Sequence, residues 1–211
     1  MKIIPASVEF ITPINGKVIL ERLEQCGRVC YKSEDKITDG SAEKFLANII
    51  KRGHEAVLEH CSFTVKFICD RGVSHEIVRH RLASYCQEST RYCNYSKDSF
   101  GNEIIVIAPS YMPVDSTGWK LWEYLCKRAE STYFDLLAGG YTPQEARAVL
   151  PNSLKTEVVM TANIREWRHF LKLRTAPAAH PQMREVALLL LKELQQKVPV
   201  LFDDIGEEVQ A

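Results

Sequence analysis

Residues 61–69, CSFTVKFIC, set Cys61, Phe63, Val65, Phe67 and Cys69 on alternate positions with Ser62, Thr64 and Lys66 between them. A period of two puts the apolar set on one face of a β-strand. A strand needs partners and a covered face to be stable in water, so this stretch commits the chain to a sheet. Further strand patterns are few: EIIVIAP at 103–109 is short and apolar, and LKTEVVMTA at 154–162 reads as another strand. Long stretches of helical spacing separate them, without the regular alternation that a parallel βαβ fold requires. The expected class is α+β, with helices packed around a small, mainly antiparallel sheet.

The helical stretches have defined faces and ends. Residues 17–31 carry Val18, Ile19, Leu23, Cys26 and Cys30 at helical spacing. Residues 41–52 present Phe45, Leu46, Ile49 and Ile50 behind Ser41 as N-cap. VSHEIVRHRLAS, 73–84, returns to helical spacing through Val73, Ile77, Val78 and Leu82. Residues 116–138 run through Trp122, Leu125, Cys126, Ala129, Tyr133 and Leu136 and stop at Gly139–Gly140. TPQE at 142–145 is a capping box with proline at the first helical position, and Pro151 ends that helix. Asn163 in NIRE can cap a helix carrying Trp167, Phe170 and Leu171. The last helix, 181–198, buries Met183, Val186, Ala187, Leu190, Leu191 and Leu194. No repeat, low-complexity stretch or Pro/Gly-rich linker interrupts the series, so residues 1–211 are expected to form a single domain.

Lysine plus arginine equals aspartate plus glutamate, 27 each. That balance leaves no global basic field to hold nucleic acid through counterion release, so any anion site must be local. No apolar run reaches the roughly 18 residues of a membrane span, and MKIIPASVEF lacks a signal peptide's long apolar segment. The chain is expected to be cytoplasmic, away from membranes. Seven cysteines are spread without C-x-x-C spacing. Cys26, Cys30, His54, His60 and Cys61 offer zinc-ligand types, but the tight paired spacings of a structural zinc site are missing. Reduced structural thiols and no metal are expected.

Local charge concentrates in RHRLASYCQESTRY, residues 79–92. Arg79, Arg81 and Arg91 gather there with His80, Ser84, Ser89 and Thr90. An arginine fork pairs two-pronged with phosphate, and hydroxyls add shorter donors. A charge run is more often a solvated helix face, but this one follows a mostly apolar segment and suggests a pocket for phosphorylated groups. Arg147, Arg165, Arg168 and Arg174 recur downstream. Arg165 falls in the first turn of a helix, where unpaired backbone N–H groups already favour an anion. GHEAVLEHCSF, 53–63, offers His/Glu pairs suited to acid–base work or to a helix-end network. No nucleophile elbow, Walker loop, dinucleotide fingerprint or HExxH is present.

RHRLASYCQESTRY resembles the RHRx7S signature of flavin-dependent thymidylate synthases: Arg79-His80-Arg81, seven residues, then Ser89. GHEAVLEH, EARAVLP and NIREWRHFLKLR resemble three further blocks of that family in the expected order. The resemblance implies a homotetramer that binds FAD and dUMP at subunit junctions and makes dTMP, with methylenetetrahydrofolate giving the carbon and NADPH reducing the flavin. By position it implies that Arg79, His80 and Arg81 hold FAD, with Glu59, Gln87, Asn163, Arg165 and His169. It gives the nucleotide phosphate Ser89 and Arg91 with Gln87, Glu88, Thr90 and Arg147, near Glu76 and Arg79. It sets Arg174 against the uracil ring, favouring the ionised form.

The chain departs from the family pattern at Cys30, Ala56, Glu76 and Cys86-Gln87. Glu76 beside a phosphate would repel it unless paired. Cys86 invites a nucleophile reading that the family chemistry does not need. The alternatives are another flavin-dependent enzyme acting at uridylate C5, on UMP or by hydroxymethyl transfer, and a non-catalytic nucleotide or RNA-binding module. Charge balance, and only Tyr85 and Tyr92 as aromatic platforms, count against RNA.

Overall fold

The computed structural model describes residues 1–206. In chain order the elements are β1 (Lys2–Ile4), β2 (Ser7–Phe10), α1 (Gly16–Tyr31), α2 (Ser41–Lys51), β3 (Ser62–Asp70), α3 (Arg71–Ile77), β4 (Ala83–Gln87) and β5 (Ile105–Ile107). There follow α4 (Thr117–Ala138), α5 (Pro143–Ala146), β6 (Lys155–Asn163), α6 (Ile164–Arg174), α7 (Pro181–Lys197) and α8 (Pro199–Phe202). Four strands join in the order β2-β3-β6-β4, and β1 pairs with β5 in parallel, Lys2 opposite Ile105. The class is α+β, with a small, mainly antiparallel sheet, as the patterns require.

The chain gathers into two compact units. One holds residues 1–7, 67–79 and 85–159. Its core packs Tyr95, Ile104, Val106, Cys126, Tyr133, Ala146 and Leu154, with Trp122 and Phe134 against it. Here α4 begins at the N-cap Ser116, whose hydroxyl accepts the Trp119 N–H, and the Thr142–Glu145 capping box forms as expected. The other unit holds residues 8–66, 80–84 and 160–206 of the described chain. Its buried residues include Leu23, Leu46, Leu58, Phe63, Trp167, Phe170 and the apolar face of α7, every member of which is enclosed as the spacing requires. Trp167 stacks on Phe63, ring centroids 5.0 Å apart, and its indole N–H donates to the Phe63 carbonyl.

Several expectations need correction. The helix expected over 73–84 is α3, which begins at Arg71 because the Asp70 carboxylate accepts the Val73 N–H, and which ends at Ile77. Val78 and Leu82 are 37% and 75% exposed, so they belong to no buried helical face, and 83–87 is strand. Strands β1 and β2 are too short to display a period. In α1 the buried face is Ile19, Leu20, Leu23, Glu24 and Gly27 rather than one through Val18 and Cys30. Glu24 can be buried because Arg28 (2.7 Å) and Ser41 (2.7 Å) both donate to its carboxylate. Ser41 is therefore not the N-cap of α2. Gly40 holds that position with φ 77°, and the Ser41 hydroxyl bridges Thr38 and Glu24. Leu125 faces outward, 63% exposed.

Candidate active site

The RHR triplet divides its own labour. Arg79 and Arg81 are exposed, whereas the His80 side chain is buried, 4% exposed. The His80 ring meets Phe170 and His169 edge-on, at centroid distances of 4.9 and 5.7 Å. Arg174 Nε donates to His80 Nε2 at 3.1 Å, and His80 Nδ1 lies 3.2 Å from Glu166 Oε1. A guanidinium has only donors, so the Nε2 facing it must carry a lone pair. The imidazole is then neutral with its proton on Nδ1, which donates to the Glu166 carboxylate. Burial and the Arg174 charge both lower the His80 pKa below its ordinary 6.5, and Glu166 opposes them.

These contacts depend on α6. Asn163 caps it by accepting the Glu166 N–H, which puts Glu166 in the first turn, where the helix favours a carboxylate. Arg174 ends the same helix. Beside its amino end lies a cavity of about 530 Å³ lined by Glu59, Asn163, Arg165, Glu166, Arg168 and His169, among others. Its carboxylates are already engaged. Arg165 donates to Glu59 at 2.6 Å, and Arg168 reaches Glu55. Arg168 is fully buried, forks onto Asp204 at 2.7 Å through both terminal nitrogens and donates to the Leu201 carbonyl. Arg165, half-exposed at a helix amino end, is thus a donor that a diphosphate could draw from its surface carboxylate.

The expected phosphate-binding residues assemble in the other unit. Ser89 to Cys93 form a tight turn, with Tyr92 and Cys93 N–H groups donating to the Ser89 carbonyl. The Arg91 N–H donates to the Ser89 hydroxyl, and its guanidinium lies over the Tyr92 ring at the surface. Arg147 Nη1 donates to the buried Thr90 hydroxyl at 3.3 Å. Two arginines and two hydroxyls therefore meet at one turn, across a long separation in sequence.

Gln87 and Glu88 are turned to internal work. The Gln87 amide donates to Ser74 (2.9 Å) and Thr156 (3.3 Å). The Glu88 carboxylate takes Lys155 at 2.9 Å and the Tyr95 hydroxyl at 3.3 Å. Burial would lower the Lys155 pKa, but Glu157 and Glu88 outweigh it and hold it above its ordinary value. Glu76 is half-buried on α3.

Sequence spacing missed Glu166, Lys155 and Lys172 as site residues. Glu166 had a signal, since it stands third in the NIRE cap, but nothing in the sequence connects it to His80. His80, Glu166 and His169 are the grouping of metal-ligating atoms found among the described residues, within 4.8 Å of one another. Both His80 nitrogens are engaged and a guanidinium abuts one of them, which opposes a cation. Cysteines are absent from that grouping. The cysteines are free, and burial pushes the Cys126 thiol up to about 11.

A family model described as "Thymidylate synthase complementing protein" matches residues 19–200. The flavin-dependent thymidylate synthase of Pyrococcus furiosus is 33% identical over 172 residues, covering 81% of this chain and 70% of that protein. Its counterpart in Corynebacterium glutamicum is 32% identical, covering 98% of this chain and 87% of the relative. Among solved structures, a UMP/dUMP methylase, PolB from Streptomyces cacaoi bound with 5-Br dUMP, has the same fold: TM-score 0.78, 23% identity, 96% of each chain.

Proposed function

Since the chain belongs to the flavin-dependent thymidylate synthase family, a family of FAD-dependent methyltransferases, we propose that it converts dUMP to dTMP by reductive methylation. Methylenetetrahydrofolate gives the carbon and NADPH the electrons. In this reading residues 1–211 act as one functional domain in the cytoplasm, with neither nucleic acid nor membrane as partner. Among the described residues no helix is long and apolar enough to cross a membrane.

The observation that carries the reading is the separation of the basic groups into two sets. Arg165, at the amino end of α6, has the donor chemistry for the diphosphate of FAD, with Arg79, Arg81, Glu59, Asn163 and His169 completing the set. The redox chemistry, a hydride taken from NADPH and passed to the carbon being installed, is what bound FAD supplies. Ser89, Thr90, Arg91 and Arg147 hold the nucleotide phosphate, with Arg79 and Glu76 nearby. Gln87 and Glu88, bonded to Ser74, Thr156, Lys155 and Tyr95, keep that turn in place. Arg174 is the catalytic residue: its permanent charge against the uracil edge stabilises the negative charge that develops as the ring is activated.

The neighbouring fold of a UMP/dUMP methylase favours UMP as the second substrate to try. Purified protein should be yellow or take up added FAD, and should form dTMP from dUMP with methylenetetrahydrofolate and NADPH. A colourless protein whose melting temperature ignores FAD, and which yields no dTMP, would overturn the reading. Turnover of UMP at the dUMP rate would replace the substrate.

Assembly belongs to the same proposal. Helix α4 exposes Leu121, Tyr124 and Leu125 at 65%, 64% and 63%, a run of large apolar side chains spaced i, i+3, i+4. Such a face supports burial between chains in a homotetramer whose active sites draw residues from different subunits.

A further inference from the structure

We propose that Glu166 is a positioning residue for the reaction: through His80 it sets the orientation in which Arg174 meets the pyrimidine. This rests on the assignment of Arg174 to the uracil ring.

Three contacts carry it. Glu166 Oε1 lies 3.2 Å from His80 Nδ1, and Arg174 Nε donates to His80 Nε2 at 3.1 Å. The Glu166 and His80 side chains are 8% and 4% exposed, so water competes little for either bond. The ring plane is set by Phe170 at a 4.9 Å centroid distance. Imidazole has two neutral tautomers, and only the one protonated on Nδ1 offers Nε2 a lone pair. A carboxylate at Nδ1 selects that tautomer. The acceptor thus presented fixes Arg174 through Nε, which sets the plane and rotation of the whole fork. The opposite tautomer would turn an N–H toward an N–H and drive the guanidinium away.

Helix α6 supplies both ends of the relay, Glu166 in its first turn and Arg174 as its last residue. His80 comes from the chain that leaves α3. The histidine of the RHR triplet therefore serves the arginine of a distant block, while its two neighbours stay at the surface. Protonation of His80 has the same consequence as the wrong tautomer. The titratable and charged groups facing it are Glu166, Arg174 and His169; burial comes first and Arg174 second in holding the ring neutral, and Glu166 pulls the other way.

The tests use the full-length FAD-loaded protein. Glu166→Gln keeps an amide oxygen for Nδ1–H and should retain turnover within about threefold. Glu166→Leu removes the acceptor and should lower kcat at least tenfold, with FAD content and the dUMP KM near wild type. Combined with Arg174→Lys, Glu166→Leu should add little further loss, because both changes remove the same orientation. Glu166→Gln should also shift the acid limb of the kcat profile to lower pH, since the charge that raises the His80 pKa is gone. A general packing defect would not do this.

Nitrogen-15 NMR of labelled histidine in the wild-type protein needs no variant. It should show His80 protonated on Nδ1 and bare on Nε2 near neutral pH. A proton on Nε2, wild-type kcat in Glu166→Leu, or losses that multiply in the double variant would overturn the relay. Full activity in Arg174→Lys alone would instead remove the assignment of Arg174, leaving the NMR result to judge the relay itself.

Discussion

At the scale of single residues, Arg174 shows why a guanidinium is not simply a positive charge. Its Nε donates to His80 Nε2, which fixes the plane of the guanidinium as a point charge could not. Lysine keeps the charge but has no second nitrogen with which to hold His80 while meeting the substrate. Losing a preorganised donor of this kind typically costs about 3 kcal/mol of transition-state stabilisation, on the order of a hundredfold in rate. Arg174→Lys should therefore lose most of its dTMP formation with FAD still bound, read by product assay alongside flavin absorbance. If Arg174 served only the carboxyl end of α6, lysine would satisfy the dipole nearly as well and turnover would be near normal.

At the scale of elements, α6 joins the candidate site to the segment that follows α8. It carries Arg165, Glu166 and Arg174, and with them the fully buried Arg168. Arg168 forks onto Asp204, whose side chain is 43% exposed, and so ties the segment after α8 to α6. Burial would raise the Asp204 pKa, but Arg168 outweighs it and holds the carboxyl below its ordinary value. Removing one member of a buried ion pair costs about 3–5 kcal/mol. The loss here should be nearer ~2 kcal/mol, because Asp204 is partly solvated and Glu55 remains beside the guanidinium. Asp204→Asn should lower the melting temperature by about 5 °C in calorimetry. Lys172→Ala, which removes two long, solvent-exposed contacts, to Glu55 at 3.8 Å and to Asp204 at 3.9 Å, should change it little.

At the scale of the whole molecule, the exposed apolar run on α4 is where the proposed homotetramer can be tested. Charged residues at its centre would be harmless on a monomer, since Leu121 and Leu125 are already exposed. Leu121→Glu with Leu125→Glu should therefore leave the far-UV circular dichroism of the chain intact. In a homotetramer the same pair buries two charges between subunits, so sedimentation should show smaller species, and FAD should bind more weakly. An unchanged sedimentation coefficient with the wild-type value of a tetramer would place the interface elsewhere.

The order and type of the long elements was readable from periodicity, because a period of two in β3 or of 3.6 in α7 is a local property of the chain. The same holds for the N-caps at Asn163 and Thr142, where the capping atoms lie within one turn. The arginines proposed for the site stand out in the sequence because their density in one stretch, and their recurrence in ordered blocks, are facts about sequence. What sequence could not decide was which side chains face each other. Residues 79–81 are consecutive, yet one turns inward and two outward. Glu166 and His80, or Thr90 and Arg147, meet only because distant segments are packed side by side. Burial of a polar group is permitted only where a partner waits, and partners such as Ser41 for Glu24 or Arg174 for His80 exist only once the chain has folded.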